Sequence, residues 1–391
     1  MKIYRTAILG CRSRGTAAAR AYHAHPRTEV VGLCDLVQEH LDTLGTELGV
    51  AAQFDDLDKM IRQTRPDIVA IPTGTEFHYE LAMRVLEYGV HIDIEKPLCV
   101  DLEQADAVVA KAREKGVRIA VHHQGRSGAL MQTIGRLLKE GRIGRVRYLD
   151  GYGKHYYGGY GLMNIGTHQL NNMLKVAGHC RSVAAVILTD NHPITPVDVV
   201  PSPSGMGTIA GEYISATLRF DDDVTATLRQ HRFPTSTRPI MEVCGTEGRL
   251  LWTEVGLALG GAWWLPHPQY KPDGTHDQWQ ALEPTIPDGF EPQNSALIDE
   301  YCFVDEYVNA LDENREHESS GIEGLHVVEI MMGAFESAAW NRPVDLPQQD
   351  RSHPLKRWRR EKGLAPDPDP MPRPYEEWLN AEDQRLGRTS K

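Results

Sequence analysis

The stretch Val90-His91-Ile92-Asp93-Ile94-Glu95-Lys96-Pro97 joins a short apolar strand to a lysine that lies between a carboxylate and a proline. A lysine directly after a buried parallel strand lies at the carboxyl end of an α/β sheet, where such sheets bind their ligands. A lysine that ends a strand is otherwise usually a solvated surface charge. The segments before and after this stretch favour the ligand-binding interpretation.

A glycine-containing turn follows the first predicted strand. Residues 5–9 are typical of a short buried strand, residues 10–15 read Gly-Cys-Arg-Ser-Arg-Gly, and an alanine-rich segment typical of a helix comes next. This is the context in which a dinucleotide rests its pyrophosphate on the amino end of a helix, although Arg12 replaces the middle glycine. An ordinary strand-to-helix turn is the alternative. The predicted cofactor-binding residues of the turn are Gly10, Arg12, Ser13, Arg14 and Gly15.

A second predicted strand, residues 29–34, ends in Asp35. The separation from the glycine turn is close to the ~20 residues expected for the acidic residue that hydrogen-bonds the ribose hydroxyls of NAD. Asp35 would repel a 2′-phosphate, and Leu36 offers no positive charge to bind one. The sequence therefore predicts NAD rather than NADP as the cofactor.

Composition limits the class of protein. The chain has 391 residues, enough for two domains, and a formal net charge of −12, which disfavours nucleic acid and anionic membrane surfaces as partners. Its six cysteines contain no C-x-x-C pair, so we predict no metal site and no disulfide framework. With neither a signal peptide nor an apolar stretch long enough to span a bilayer, we expect a cytoplasmic enzyme that acts on small metabolites.

Two domains are expected from the order of the predicted elements. Up to residue 123, strands such as 68–71 and 118–121 alternate with helices such as 77–88, the rhythm of a doubly wound parallel Rossmann sheet. Residues 124–347 instead predict an α+β domain with an open, mostly antiparallel sheet. Its predicted strands are 146–152, 183–189, 213–220, 224–232 and 241–244, with helices at 130–140 and 325–340. Residues 348–391 are rich in proline and predict an extended arm.

From Tyr4 to Pro347 the chain resembles the Gfo/Idh/MocA superfamily of glucose–fructose oxidoreductase, inositol dehydrogenase and related enzymes. The resemblance rests on the glycine turn, Asp35, the Glu95-Lys96-Pro97 motif and the segment Asn164-Ile-Gly-Thr-His-Gln-Leu-Asn171. It implies an NAD(P)-binding domain, a sheet domain that forms the substrate pocket and oligomer contacts, and oxidation or reduction of a carbinol on a sugar or polyol. We therefore expect a homo-oligomer, either a dimer or a tetramer.

The resemblance also implies roles for single residues. Lys96 and His168 are the residues expected to assist proton transfer. Further expected cofactor contacts are Pro72, Thr73, His78, Glu95 and Lys96. A loop rich in glycine and tyrosine precedes the second signature, and such side chains suit a sugar with one apolar face and many hydroxyls. The predicted substrate-binding residues are Arg126, Lys154, His155, Tyr156, Tyr157, Asn164 and Asn171.

The chain departs from the family pattern at two positions. Asn164 and Asn171 stand where dehydrogenase members of the family usually carry aspartates, and an amide cannot hold a proton or stabilise an imidazolium by charge. Three functions therefore remain open: an NAD-dependent sugar or polyol dehydrogenase, a redox-neutral glycosidase that uses bound NAD, and a non-catalytic nucleotide-sensing regulator. Retention of Lys96 and His168 disfavours the regulator.

Overall fold

The computed structural model describes residues 2–233, 239–255, 258–269, 278–292 and 296–388. The chain forms two compact units, each discontinuous in sequence. The first unit comprises Met1–Cys99, Gln104–Ala129 and Thr285–Leu325, and the second comprises Val100–Glu103, Leu130–Pro284 and His326–Lys391. The domain boundaries that we predicted, at residues 123 and 347, assume contiguous domains. The observed units are not contiguous, because the later segment 285–325 belongs to the first unit.

The first third of the chain alternates strands and helices. In order, it contains β1 (Tyr4–Leu9), α1 (Arg14–Ala24), β2 (Thr28–Cys34), α2 (Gln38–Leu48), β3 (Gln53–Phe54), α3 (Leu57–Thr64), β4 (Ile68–Ile71), α4 (Thr75–Glu87), β5 (His91–Glu95), α5 (Leu102–Lys115), β6 (Ile119–His122) and α6 (Gln124–Ser127).

The remainder is richer in strands. It contains α7 (Ala129–Lys139), β7 (Val146–Tyr152), α8 (Gly158–Gly161), a π-helical turn (Leu162–Gly166), α9 (Thr167–Ala177), β8 (Cys180–Thr189), β9 (His192–Pro193), β10 (Val199–Pro201), β11 (Thr208–Ala210), β12 (Tyr213–Phe220), β13 (Thr225–His231), β14 (Ile240–Gly245), β15 (Arg249–Val255), β16 (Ala258–Leu265), β17 (Gln280–Ala281), α10 (Ile298–Asp312), α11 (Gly321–Trp340), β18 (Val344–Asp345), α12 (Pro354–Glu361) and α13 (Tyr375–Arg385).

The first unit is built on a six-stranded parallel sheet with the order β3-β2-β1-β4-β5-β6. This confirms the predicted Rossmann sheet. The strand order reverses between β1 and β4, which is the position where doubly wound sheets open a crevice at the carboxyl ends of their strands. The glycine turn after β1 therefore lies at the expected ligand-binding edge.

Helix α10 completes the core of the first unit, although the sequence patterns did not predict it. Its buried residues Phe303, Val304 and Tyr307 belong to the same apolar cluster as Ile8 of β1 and Leu33 of β2. The Tyr307 hydroxyl donates a hydrogen bond to the carbonyl of Ile92 at 2.9 Å. A helix that lies about 290 residues after β1 in sequence thus packs against the parallel sheet of the first unit.

The second unit contains a sheet of ten strands with the order β17-β16-β15-β14-β7-β13-β12-β8-β18, and β9 pairs with β8. Only the pair β7 and β13 is parallel among the strand pairs that the structure describes in this sheet. The alternating burial of β12 places Ile214, Ala216 and Leu218 inside, as an antiparallel sheet with one packed face requires. The predicted α+β class is confirmed.

The prediction of an extended arm for residues 348–391 is wrong for much of that segment. Two helices form there, α12 and α13, and the second unit includes them. The reason is apolar burial, because Leu355, Trp358 and Trp378 each lose nearly all of their exposed surface. The segment 362–374 between the helices, which contains the proline-rich run 366–370, has neither helix nor strand.

All six cysteines are buried free thiols. Within the described ranges, no group of three or more His, Cys, Asp and Glu side chains is arranged to hold a metal ion. Among the helices that the structure describes, none has the length and apolar character needed to cross a membrane.

Candidate functional site

The glycine turn closes tightly against the loop after β4. Gly10 has a φ of +106°, and a Cβ atom there would lie 3.4 Å from Cγ2 of Thr73. A Cβ on Gly15 would lie 1.8 Å from the Gly10 carbonyl oxygen and 3.3 Å from Cγ of Pro72. Only glycine fits either position. Four predicted cofactor residues, Gly10, Gly15, Pro72 and Thr73, thus lie together at one edge of the sheet.

Asp35 lies at the end of β2 and faces this turn. One oxygen of its carboxylate accepts the backbone N–H of Cys11 at 2.7 Å, and the other accepts that of Val37 at 2.9 Å. Burial opposes ionisation, but these hydrogen bonds and His40 lower the pKa of Asp35 below its ordinary value. The carboxylate is thus charged and fixed beside the glycine turn. It is suited to accept hydrogen bonds from ribose hydroxyls, and its charge would repel a 2′-phosphate.

Glu95 links the Glu-Lys-Pro motif to the glycine turn. Its side chain accepts a 2.7 Å hydrogen bond from Nε of Arg14 and another of 2.7 Å from the backbone N–H of Lys96. Although burial opposes its charge, the Arg14 guanidinium holds the pKa of Glu95 below its usual range. The Arg14 side chain is thereby turned towards buried carboxylates.

A buried chain of charges extends from this pair. Arg14 also donates to Glu300 of α10 at 2.8 Å, and Glu300 contacts Nε2 of His122 at 2.6 Å. The other ring nitrogen of His122 lies 2.9 Å from Asp93 of β5. Burial disfavours the imidazolium, but Asp93 and Glu300 outweigh it and raise the pKa of His122 to about 10.

Three members of this network were not predicted from the sequence: Asp93, His122 and Glu300. One signal was present, because a carboxylate in the middle of the apolar run 91–95 needs a buried partner. Its partners lie on β6 and α10, and no local pattern connects these elements. A small cavity of about 10 Å³ lies among Arg14, Glu95 and His122.

His78 is fully buried beneath the same loops. Its Nδ1 lies 2.9 Å from the carbonyl of Pro97, and its Nε2 lies 3.1 Å from the carbonyl of Thr73. The burial lowers the pKa of His78, and a neutral imidazole donates to only one of these carbonyls. The side chain therefore ties the Glu-Lys-Pro loop to the loop after β4, which differs from the direct cofactor contact that we predicted.

Arg126 is buried and already forms an ion pair. It is 9 % exposed, and its Nη1 lies 3.0 Å from a carboxylate oxygen of Glu323. Burial, together with the positive charges of Lys96 and Arg126, lowers the pKa of the intervening His123 well below its ordinary value. The predicted contact of Arg126 with substrate would therefore involve a guanidinium that already pairs with Glu323.

The second signature forms a distinct structural feature in the second unit. Asn164 lies within the π-helical turn Leu162–Gly166, which runs directly into α9. Such turns often occur at functional sites because they shift the register of the side chains that follow. His168 and Asn171 lie three residues apart on α9, so they share one face of the helix, and both are buried.

Gln169 explains how this segment is held against the sheet. Its amide nitrogen donates to the carbonyls of Tyr152, at 2.5 Å, and Ile240, at 3.0 Å, on two adjacent strands. Its oxygen accepts a hydrogen bond from Gln230 at 2.7 Å. No role was predicted for Gln169, because a buried amide that bonds to two strands leaves no local pattern in the sequence.

The tyrosine-rich loop divides into exposed and buried residues. His155 is exposed, while Lys154 and Tyr156 are partly buried. Tyr157 is fully buried, and its hydroxyl donates to Glu382 of α13 at 2.9 Å. Tyr157 is thus a core residue of the second unit, and the prediction that it contacts substrate does not fit this burial.

The chain matches two models of one family. Residues 4–123 match the model described as oxidoreductase family, NAD-binding Rossmann fold, and residues 131–251 match the GFO/IDH/MocA C-terminal domain. The chain belongs to the Gfo/Idh/MocA oxidoreductase family. The first unit therefore carries the family's NAD-binding domain, and the glycine turn with Asp35 fits that cofactor.

Relatives within the family have named activities. The chain is 26 % identical over 270 residues to D-glucoside 3-dehydrogenase of Escherichia coli, which covers 65 % of this chain and 70 % of the relative. It is 24 % identical over 373 residues to D-apiose dehydrogenase of Paraburkholderia graminis, which covers 90 % and 92 % of the two chains. The crystal structure of aldose–aldose oxidoreductase from Caulobacter crescentus has the same fold, with a TM-score of 0.71 at 20 % identity over 88 % of this chain and 100 % of that one.

The geometry of Asp35 makes a prediction about cofactor choice. We expect the wild type to bind NAD more tightly than NADP, and Asp35→Ala to weaken NAD and reduce the preference by tenfold or more, because the charge that repels a 2′-phosphate is removed. Fluorescence titration with NADH and NADPH measures both affinities. Asp55→Ala, in the same unit, is the control and should retain the wild-type ratio. Equal affinities in the wild type would contradict this assignment.

The charge chain makes a prediction about stability. The pKa of His122 in the folded protein is raised above its ordinary value, so its stabilisation is fully present below pH about 6.5 and is lost as the pH rises through about 10. We expect His122→Gln to lower the free energy of unfolding by about 3–5 kcal/mol near pH 6, because Asp93 and Glu300 lose their cation.

Urea unfolding of the wild type and His122→Gln at pH 6 and pH 10 measures this effect. The difference between the two proteins should shrink at the higher pH. His23→Gln, which replaces an exposed histidine of α1, is the control and should show no such dependence. A difference that stays constant over this range would show that His122 is not charged in the folded protein.

Proposed function

We propose that this protein is an NAD-dependent dehydrogenase that transfers a hydride between a carbinol of a sugar, sugar derivative or polyol and the nicotinamide. One observation carries the proposal: Lys96 follows a parallel strand beside the dinucleotide turn, and Arg14 and Glu95 hold its backbone to that turn. The activities named for the relatives, both sugar dehydrogenases, support the substrate class.

The proton of the carbinol hydroxyl needs an acceptor when the hydride leaves. Bound NAD+ would supply the hydride acceptor and, before the transfer, a positive charge; the glycine turn, Asp35 and Lys96 are the residues that would hold it. A free lysine has a pKa of ~10.4, so it acts as a base near neutrality only when nearby positive charge or burial lowers that pKa. We propose that Nζ of Lys96 orients the hydroxyl and relays its proton.

His168 is the better proton acceptor of the two. A neutral imidazole can take a proton near physiological pH, whereas an unperturbed lysine amine is already protonated. In the second unit it lies on the buried face of α9 with Asn171, after the π-helical turn that holds Asn164. These two amides are suited to donate and accept hydrogen bonds with sugar hydroxyls and to orient the imidazole.

Asn164 and Asn171 also support a second candidate function, a redox-neutral glycosidase. Asn164 and Asn171 stabilise an imidazolium at His168 less than aspartates at these two positions would. A redox-neutral glycosidase needs only transient oxidation: a ring hydroxyl is oxidised, the neighbouring C–H is deprotonated, the aglycone leaves, water adds, and the hydride returns to the sugar. The overall reaction then consumes water and leaves NAD unchanged.

Lys96→Met tests the proposed role of the lysine. General acid–base assistance contributes roughly 10²–10⁴-fold, so we expect kcat to fall by that factor while the thermal midpoint and the affinity for NADH stay near the wild-type values. Lys115→Met, at the end of α5 in a surface ion pair with Glu87, is the matched control and should leave kcat unchanged. Activity of Lys96→Met within a few-fold of the wild type would make Lys96 a surface charge.

The fate of the hydride distinguishes the two enzyme functions. For a dehydrogenase, glucosides, D-apiose or inositols should form NADH in proportion to oxidised product, and His168→Ala should lose this activity by at least 10²-fold. Absorbance at the NADH band, with quantification of free sugar and aglycone, measures both. Aglycone release with catalytic NAD, no accumulation of NADH and exchange of the C2 hydrogen with solvent deuterium would establish the glycosidase instead.

A further inference from the structure

Helix α13 near the carboxyl terminus is firmly attached to the second unit. Trp378 is fully buried and donates its indole N–H to the carbonyl of Pro201 at 2.7 Å. Asp383 forms a two-pronged ion pair with Arg232, with distances of 2.6 and 2.9 Å. Bidentate pairs of this kind fix orientation as well as position, so the start of α13 has a defined place.

Tyr375, the first residue of α13, lies against the tyrosine-rich loop. Its ring stacks on that of Tyr160 with the centroids 5.0 Å apart, and it meets Tyr156 edge-on at 5.1 Å. Its hydroxyl accepts the backbone N–H of Tyr157 at 2.9 Å. One side chain of the tail thus contacts three successive parts of the loop that we predict to bind substrate.

The contact between Tyr375 and Tyr160 is linked to Asn164, the first residue of the 164–171 segment. The Tyr160 hydroxyl is hydrogen-bonded to the side chains of Asn164 and Ser204. Ser204 is held from the tail as well, because its backbone N–H donates to the carbonyl of Arg373 at 2.9 Å. Two routes therefore run from residues 373–375 to Tyr160, and from Tyr160 to the asparagine that precedes His168.

The exposure of these rings differs in a way that suits a ligand. Tyr160 is buried beneath the stack, whereas Tyr156 and Tyr375 keep part of their surface exposed. Partly exposed aromatic rings held rigidly by neighbours bind the apolar face of a sugar at low entropic cost, and hydrogen-bonding groups at their rim select its hydroxyls. The family models match residues 4–123 and 131–251, so neither includes Tyr375.

We propose that Tyr375 is a positioning residue for the sugar substrate: it holds Tyr156 and Tyr160 in place, and through Tyr160 it orients Asn164. The proposal rests on the proposed function for the identity of the substrate, but its structural part does not. Substrate selection in this protein then depends on the carboxyl-terminal helix as well as on the two matched domains.

Amide hydrogen exchange tests the structural part without any turnover. In Tyr375→Ala, we expect amides within residues 154–164 to exchange at least tenfold faster than in the wild type, while residues 199–210, beneath Trp378, stay protected. Tyr375→Phe keeps the ring contacts and should accelerate exchange only at the Tyr157 amide. Glu377→Ala, an exposed side chain on the same helix, is the control and should match the wild type.

Steady-state kinetics tests the functional part with whichever glucoside or inositol the wild type oxidises. We expect Tyr375→Ala to raise the sugar KM by tenfold or more, with the NAD KM and the thermal midpoint nearly unchanged. Tyr375→Phe should restore most of the sugar KM because the stack on Tyr160 is retained. A lower thermal midpoint with an unchanged sugar KM would reduce Tyr375 to a purely structural residue and overturn the proposal.

The two failures are distinguishable. If the wild type oxidises and cleaves none of the sugars, the proposed function fails, while the exchange experiment still shows whether Tyr375 holds the loop. If the wild type is active but residues 154–164 exchange equally in Tyr375→Ala and in the wild type, the inference about Tyr375 is wrong and the proposed function stands.

Discussion

The guanidinium of Arg14, held between Glu95 and Glu300, is the interaction on which the nucleotide-binding unit depends. It joins the glycine turn, the end of β5 and helix α10, three elements that are far apart in sequence. Both carboxylates are almost completely buried. Removal of the arginine would leave two negative charges inside the unit, a loss of about 3–5 kcal/mol for each broken buried pair.

This ion pair also explains why the Glu-Lys-Pro motif has its residues in that order. Glu95 neutralises Arg14 with one face of its carboxylate and accepts the Lys96 N–H with the other, so the position of the lysine backbone follows from the buried pair. The imidazolium of His122 lies between Asp93 and Glu300 and neutralises charge on both. Asp93 can therefore be buried in the middle of β5. The position of the Lys96 backbone thus rests on a buried charge network.

The second unit reaches rigidity by other means. Its helix α9 is fixed by the amide of Gln169 across two strands, and its tyrosine-rich loop is fixed by aromatic contacts and by the hydrogen bond from Tyr157 to Glu382. Uncharged amide contacts and ring packing thus act together with charged groups of α13, because Glu382 accepts the Tyr157 hydrogen bond and Asp383 pairs with Arg232.

The sequence by itself determined the Rossmann sheet, the glycine turn, Asp35 and the place of Lys96. Each of these follows a strand whose apolar pattern is local, and the carboxyl ends of parallel strands meet at one edge. Only the tertiary structure decided which partners these residues have. Arg14 and Glu300 are separated by 286 positions, and Tyr375 meets Tyr156 across more than half the chain, so no periodicity or spacing marks either contact. The direction of a buried side chain such as Arg14 or Tyr157 is likewise set by the charge or ring that packs against it, because a buried polar group must find its partner wherever the fold supplies one.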